Sequence, residues 1–214
     1  MFVSKVKEEF LDVNEVRIHV ISKGKGQNTP ILLLHGFPDF HYSFRYLMDP
    51  LSTNRLVMAI DQRGYNKSSK PKGVRQYDLG LLMKDAVGII KKKSPNEKVI
   101  LVGHDWGGAI SWHLARFYPQ YIEKLVILNC PPIDLLFKFI LQNPKQMLMS
   151  YYIFLFQLPK LPEFLFQLNN FALIRRLYRS LKPRGKRLTR QEIERYVRCF
   201  DRPRGMSGIN YYRA

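Results

Sequence analysis

Residues 99–110 read VILVGHDWGGAI, and their reading decides the fold. Val99, Ile100, Leu101 and Val102 make a short apolar, β-branched run of the kind that forms a buried strand. Gly103, His104, Asp105, Trp106 and Gly107 follow, with a glycine two places on either side of Asp105. From Gly107 the apolar spacing becomes helical, until Pro119 ends it. A strand, a sharp turn and a helix, with glycines flanking one reactive residue, is the geometry of a nucleophile elbow. Glycine is needed because the central residue sits on a strained turn where neighbouring side chains would collide. Here the central residue is Asp105, so the nucleophile would be a carboxylate. The plainer alternative is a glycine-rich turn with an aspartate helix cap.

Upstream segments bear on that choice. Residues 17–22 alternate as a half-exposed strand would, and 31–34 and 56–60 are continuous apolar runs. The first of these runs ends in His35, Gly36, Phe37 and Pro38, a sharp turn that can aim a backbone N–H into a site, with a cis bond considered before Pro38. The second ends in Asp61, Gln62, Arg63, Gly64 and Tyr65, where a structural hydrogen-bonding role is expected. Residues 40–51 and 77–93 read as helices, 66–76 as a loop and 125–128 as another buried strand. Unbroken apolar strands alternating with helices mean an α/β fold, a parallel sheet covered on both faces. Ligands bind such sheets at the carboxyl ends of the strands. His35–Pro38, Asp61–Tyr65 and Asp105 all fall at such ends, which argues against the plain helix cap. A carboxylate attacks alkyl carbon better than a carbonyl. The chemistry is therefore opening of an epoxide, or displacement of a halide, through an alkyl ester on Asp105.

Composition sets the outer bounds. A chain of 214 residues with 46% hydrophobic content fits one domain, or one and part of a second, and excludes a disordered protein. Cys130 and Cys199 have neither metal nor disulfide spacing, which suggests a reducing compartment. The charged amino terminus has no secretory signal pattern and no apolar span, so a cytoplasmic location is the default. The net charge of +18 is uneven: between Arg175 and Arg213 the only acids are Glu192, Glu194 and Asp201. Either an anionic partner or a solvated face explains this, and no nucleic-acid motif accompanies it.

After Cys130 no parallel-strand pattern remains. Residues 133–141, 145–157, 161–178 and 189–200 read as helices separated by prolines, and 135–171 is rich in Phe, Leu, Tyr and Met. Three readings apply: a lid lining an apolar pocket, a helical core, or shallow contact with a membrane. The expected division is an α/β core over 1–130 and a helical cap over 131–214.

Taken together, HGFP at 35–38, DQRGY at 61–65, GHDWGG at 103–108, FYP at 117–119 and the helical stretch after Asn129 resemble the epoxide hydrolases of the α/β-hydrolase fold. The resemblance implies a helical cap over the sheet and a small hydrophobic epoxide as substrate, with no cofactor and no metal. It implies Asp105 as nucleophile, with Tyr152 and Tyr212 holding the epoxide oxygen. The backbone N–H groups of Phe37 and Trp106 would stabilise an oxyanion, within a turn that includes His35, Gly36 and Pro38. Tyr151 and Tyr211 are neighbours that compete for the tyrosine assignments. GHDWGG is shared with haloalkane dehalogenases, to which Trp106 would offer a halide contact. The family also places an acid and a histidine after the cap, whereas the five histidines here are His19, His35, His41, His104 and His113. The sequence therefore reads as a fragment, or a shortened form lacking the last strands, that would not turn over. A non-catalytic binding protein is the alternative from another class.

Overall fold

The apolar runs form the centre of a six-stranded sheet in the computed structural model, which describes residues 5–214. β1 (Lys7–Val13) and β2 (Val16–Lys23) make an antiparallel hairpin. β3 (Asn28–Leu34), β4 (Arg55–Asp61), β5 (Val99–His104) and β6 (Ile122–Leu128) are mutually parallel. The order across the sheet is β1-β2-β4-β3-β5-β6, with β2 antiparallel to β4. The sheet is thus mostly parallel, as the unbroken apolar runs of β3, β4 and β5 predict, and the β1–β2 hairpin joins it antiparallel. β1 is a strand that the sequence pattern does not announce. Of its seven residues only Val13 is buried, and the others are charged or partly exposed, so its apolar alternation is faint.

Leu32, Leu33 and Leu34 of β3 are fully buried, so both faces of the sheet must be covered. On one face, Phe44 and Met48 pack against Ile31, Leu33, Val57, Ala59 and Val102; Met48 comes from α1 (Arg45–Leu51). On the other, α2 (Leu79–Lys93) contributes Leu82, Ala86, Ile89 and Ile90, and α3 (Trp106–Phe117) contributes Ile110 and Leu114. Each of the larger side chains removed from water stabilises the fold by about 1.5–3 kcal/mol before entropy is counted. The helix expected over 40–51 divides into a 3-10 turn, His41–Phe44, followed by α1. β6 lies at the open edge, with Val126 and Leu128 partly exposed.

Beyond β6 the chain is helical: α4 (Ile133–Gln142), α5 (Pro144–Met149), α6 (Tyr151–Gln157), α7 (Leu161–Ser180) and α8 (Arg190–Phe200). Ser150 interrupts the helix expected over 145–157. Within α7 the backbone leaves helical geometry at Leu168, and Asn169, Asn170 and Phe171 have positive φ. Consecutive asparagines tolerate that conformation better than most residues, and they mark the break. α8 starts with a capping box, in which Thr189 and Glu192 satisfy each other's backbone N–H. A second apolar cluster joins Phe156, Phe166, Ile174, Tyr178, Tyr196 and Phe200 to Phe40, just beyond β3. The helical layer therefore sits over the carboxyl ends of the strands. A final 3-10 turn, Ser207–Tyr212, drops back into the sheet core: Tyr211 is buried there and its hydroxyl donates to the Arg63 carbonyl at 2.8 Å. Among the described residues, no helix is long and apolar enough to cross a membrane.

Candidate active site

Asp105 sits between β5 and α3 with φ 51° and ψ −122°, a conformation that side chains rarely adopt. Its neighbours explain how it is tolerated. A Cβ on Gly103 would lie 2.3 Å from the Gly107 carbonyl oxygen, and one on Gly107 would lie 2.0 Å from that of Leu34. The turn closes only because these positions are bare. Gly36 is bare for a more direct reason, since a Cβ there would lie 2.3 Å from Oδ1 of Asp105 itself. That approach lets the Phe37 N–H donate to Asp105 Oδ1 at 2.8 Å. The Phe37–Pro38 peptide bond is cis.

Burial raises the Asp105 carboxyl above its ordinary range; the backbone N–H groups of Phe37 and Trp106 oppose this but do not cancel it. The result is a poorly hydrated carboxylate held by backbone donors. It lines two cavities. One, of about 430 Å³, is shared with Trp106, Tyr152, Tyr211 and Tyr212 and is walled by Leu136, Ile153 and Phe154. The other, of about 650 Å³, opens toward α4 and α5 between Leu135, Phe139 and Gln146. Cys130, Leu136, Tyr152 and Ile153 border both. Sequence reasoning does not place Leu136 or Ile153 at the site, because a helical apolar residue carries no mark of which cavity it faces.

The structure brings Asp105, Trp106, Tyr152 and Tyr212 together. The Tyr212 ring meets Trp106 edge-on at 5.0 Å and lies 6.1 Å from the Tyr152 ring. Burial, then the facing Asp105 carboxylate, pushes both phenols up, Tyr212 well above its usual value. Both therefore stay protonated and able to donate. The neighbouring tyrosines separate by environment. Tyr151 is exposed and borders neither cavity. Tyr211 reaches the smaller cavity, but its hydroxyl is committed to Arg63.

His35, Gly36 and Pro38 do not line either cavity; they shape the turn that delivers the Phe37 N–H. His35 is buried, contacts the Gly36 carbonyl through Nδ1 and accepts from the Gln62 N–H through Nε2. Burial pulls its pKa down to about 4, so it is a neutral brace. His19 and His41 both direct Nδ1 at Asp61, at 2.6 and 2.7 Å. Burial alone would raise Asp61, but these two hydrogen bonds outweigh it and hold the carboxyl far below the usual range. Ligand atoms of His19, His41 and Asp61 lie within 4.8 Å of one another, a spacing that a metal ion would accept. Their facing lone pairs are already used by those hydrogen bonds, and His19 Nε2 meets Glu8 at 2.9 Å. His113 bonds the Ala109 carbonyl within α3. Among the described residues, no histidine lines either cavity beside Asp105.

An elbow on β5, a tight Gly-Phe-Pro turn after β3, and helices roofing the strand ends define the α/β-hydrolase fold. The chain belongs to the alpha/beta hydrolase fold family, whose description matches residues 29–206. It is 37% identical over 203 residues to Epoxide hydrolase 4 of Mus musculus, covering 92% of this chain and 56% of that protein. It is also 37% identical over 211 residues to AB hydrolase superfamily protein YfhM of Bacillus subtilis, covering 98% of this chain and 73% of that one. A crystal structure of an epoxide hydrolase from Bacillus megaterium in complex with an inhibitor superposes with a TM-score of 0.87 at 33% identity, over 96% of this chain and 71% of the other. The chain thus spans little more than half the length of the mouse relative.

Proposed function

We propose that this chain carries out the covalent step of an epoxide hydrolase on a small hydrophobic epoxide. The observation that carries the reading is one apolar cavity lined by a buried elbow carboxylate, Asp105, and two protonated phenols, Tyr152 and Tyr212. The relatives called epoxide hydrolases support it. With Oδ1 held by the Phe37 N–H, Oδ2 attacks an epoxide carbon and forms an ester. The ring C–O bond breaks, its electron pair stays on oxygen, and that oxygen takes a proton from a tyrosine. Phenols suit this step because they donate at neutral pH to an oxygen on which charge is developing. In the second step water attacks the ester carbonyl, the diol leaves, and the backbone N–H groups of Phe37 and Trp106 stabilise the oxyanion. That step calls for a base to activate water, and no histidine among the described residues borders the cavity. The ester is therefore expected to accumulate on this chain.

The test is intact-mass analysis after incubation with an aryl epoxide. One adduct per chain is expected, on the peptide that contains Asp105. Tyr212→Phe is expected to slow its formation by about 10²-fold, the usual scale of general-acid catalysis. Steady diol production with no ester would sink the accumulation argument, and an adduct on any other residue would sink the nucleophile assignment. Halide release from a chloroalkane without epoxide opening would favour dehalogenation instead.

The finer reading of the cap is contact with an anionic membrane. Leu141, Leu148 and Met149 of α4 and α5 are 79, 74 and 62% exposed, beside the exposed Lys138 and Lys145. Apolar side chains flanked by lysines suit an interfacial surface. Leu148→Glu is expected to halve, at least, co-sedimentation with phosphatidylserine vesicles; unchanged binding would argue against this face.

A further inference from the structure

A third cavity, about 540 Å³, lies away from Asp105 and shares no residue with the two described above. It opens where the loop after β4 meets the turn after α8. Its wall carries four cationic side chains, Lys67, Lys70, Arg202 and Arg204, against the single carboxylate of Glu8. That carboxylate is already engaged, by Lys67 and by His19 Nε2. Lys70 is half-buried, and its ammonium donates to the carbonyl oxygens of Asn66 and Ser68. Burial, with the nearby charges of Arg202 and Arg204, holds Lys70 below its ordinary pKa. Among the described residues, neither Arg202 nor Arg204 has a carboxylate within ion-pair distance.

Most of the described arginines likewise lack an acid partner, and what sets these two apart is their place in one cavity with Lys70. Arg45, Arg63, Arg175 and Arg213 each find an acid, Arg175 doing so within the same basic stretch. The two unpaired arginines also sit on a closed turn rather than a loose end. Gly205 N–H donates to the Arg202 carbonyl at 2.7 Å, and Ser207 N–H to that of Arg204 at 3.0 Å. Arg204 has φ 55°, and a Cβ on Gly205 would lie 2.0 Å from the Phe200 carbonyl oxygen. The turn is thus folded hard against the end of α8, at some conformational cost, and it presents two guanidinium groups beside a lysine. Unpaired cations lining one concavity repel one another until an anion enters. Guanidinium forks match phosphate oxygens, and a lysine supplies a further point charge. Phe10 and Pro203 complete the wall, leaving apolar surface beside the charge.

We propose that this cavity is a phosphate-binding site, taking the phosphate group of a small organic phosphate or of a lipid headgroup on Lys70, Arg202 and Arg204. The proposal does not rest on the reaction assigned to Asp105.

Titration calorimetry with glycerol 3-phosphate, and with inorganic phosphate, tests it on the whole chain. Saturable one-to-one binding is expected, weakened about tenfold or more in Arg202→Ala/Arg204→Ala, since two charge-assisted contacts are lost. Lys70→Met, which leaves the turn intact, should weaken it too. Arg187→Ala/Arg190→Ala, with two arginines of the basic stretch outside the cavity removed, should leave affinity within twofold. A separate arm uses phosphatidylcholine vesicles with and without phosphatidic acid, in the Leu148→Glu background. Binding there with none to glycerol 3-phosphate assigns the site to a lipid headgroup; the reverse assigns it to a soluble ligand. No binding of any of these probes overturns the proposal. So does an equal loss in the Arg187→Ala/Arg190→Ala variant, which would mean diffuse surface charge.

Discussion

Asp105→Asn is expected to abolish the covalent adduct, lowering its rate of formation by at least about 10³-fold, while making the folded chain more stable at neutral pH. The two effects share one cause. Asparagine keeps a carbonyl oxygen for the Phe37 N–H, so the turn geometry survives. What it loses is the negative charge and the lone pair that would attack carbon. The carboxyl is buried and its pKa is raised in the fold, so the folded state holds its proton more tightly than the unfolded chain does. A raised acid contributes most favourably at low pH, where it is protonated in both states. Stability then falls as pH rises from the unfolded pKa, near 3.9, through the higher folded one. The uncharged amide of the variant escapes that loss. Its melting temperature should exceed the parent's at pH 7, and the gap should close toward pH 4. Each kcal/mol corresponds to about 2–4 °C for a chain of this size. A less stable variant at pH 7 would mean that the carboxylate is needed to hold the elbow, and the adduct loss could then no longer be assigned to chemistry.

Such a cost at a reactive position is the reason the site can be found from sequence at all. Gly36, Gly103 and Gly107 are written into the chain because no Cβ fits beside Asp105 or beneath α3, and glycines at that spacing are visible without a structure. The same holds for the unbroken apolar runs of β3, β4 and β5, which are buried on both faces. β1 escapes notice because an edge strand with one buried residue has little apolar pattern. The break in α7 depends on Asn169 and Asn170 adopting positive φ, which an amphipathic count overlooks. Choosing between Tyr211 and Tyr212 needs the partner of one hydroxyl, a contact across 148 residues that no local pattern records. The phosphate-site residues are hidden differently. In the sequence Arg202 and Arg204 are two charges in a basic stretch, and only the fold brings them to Lys70.

Arg63→Met is expected to be among the most destabilising substitutions in the chain, although Arg63 borders neither cavity at Asp105. Its guanidinium is buried and makes two hydrogen bonds to Asp85, from Nε and Nη2, both 2.7 Å. It also donates to the Gln76 and Asn14 carbonyls at 3.1 and 3.2 Å, tying the loop after β4 to α2 and to the β1–β2 turn. Burial raises the Asp85 carboxyl even with Arg63 and Asn14 opposing it. Removing the arginine leaves a buried, unpaired carboxylate, which typically costs about 3–5 kcal/mol, or roughly 6–20 °C in melting temperature. The sign with pH follows. Without Arg63 the folded pKa of Asp85 rises further above its unfolded value, so the deficit grows as pH increases from about 4 and shrinks in acid. Arg63→Met/Asp85→Leu should recover most of the loss, because no charge is then stranded. A single variant whose melting deficit is the same at pH 4 and pH 7 would refute the stranded-charge account. Well below its melting temperature, the single variant should still form the adduct at near the parent rate. Tyr211 is held by the backbone carbonyl of Arg63 rather than by its side chain, so Tyr212 keeps its place beside Trp106. Stability and chemistry thus separate at Arg63 in the opposite sense to Asp105.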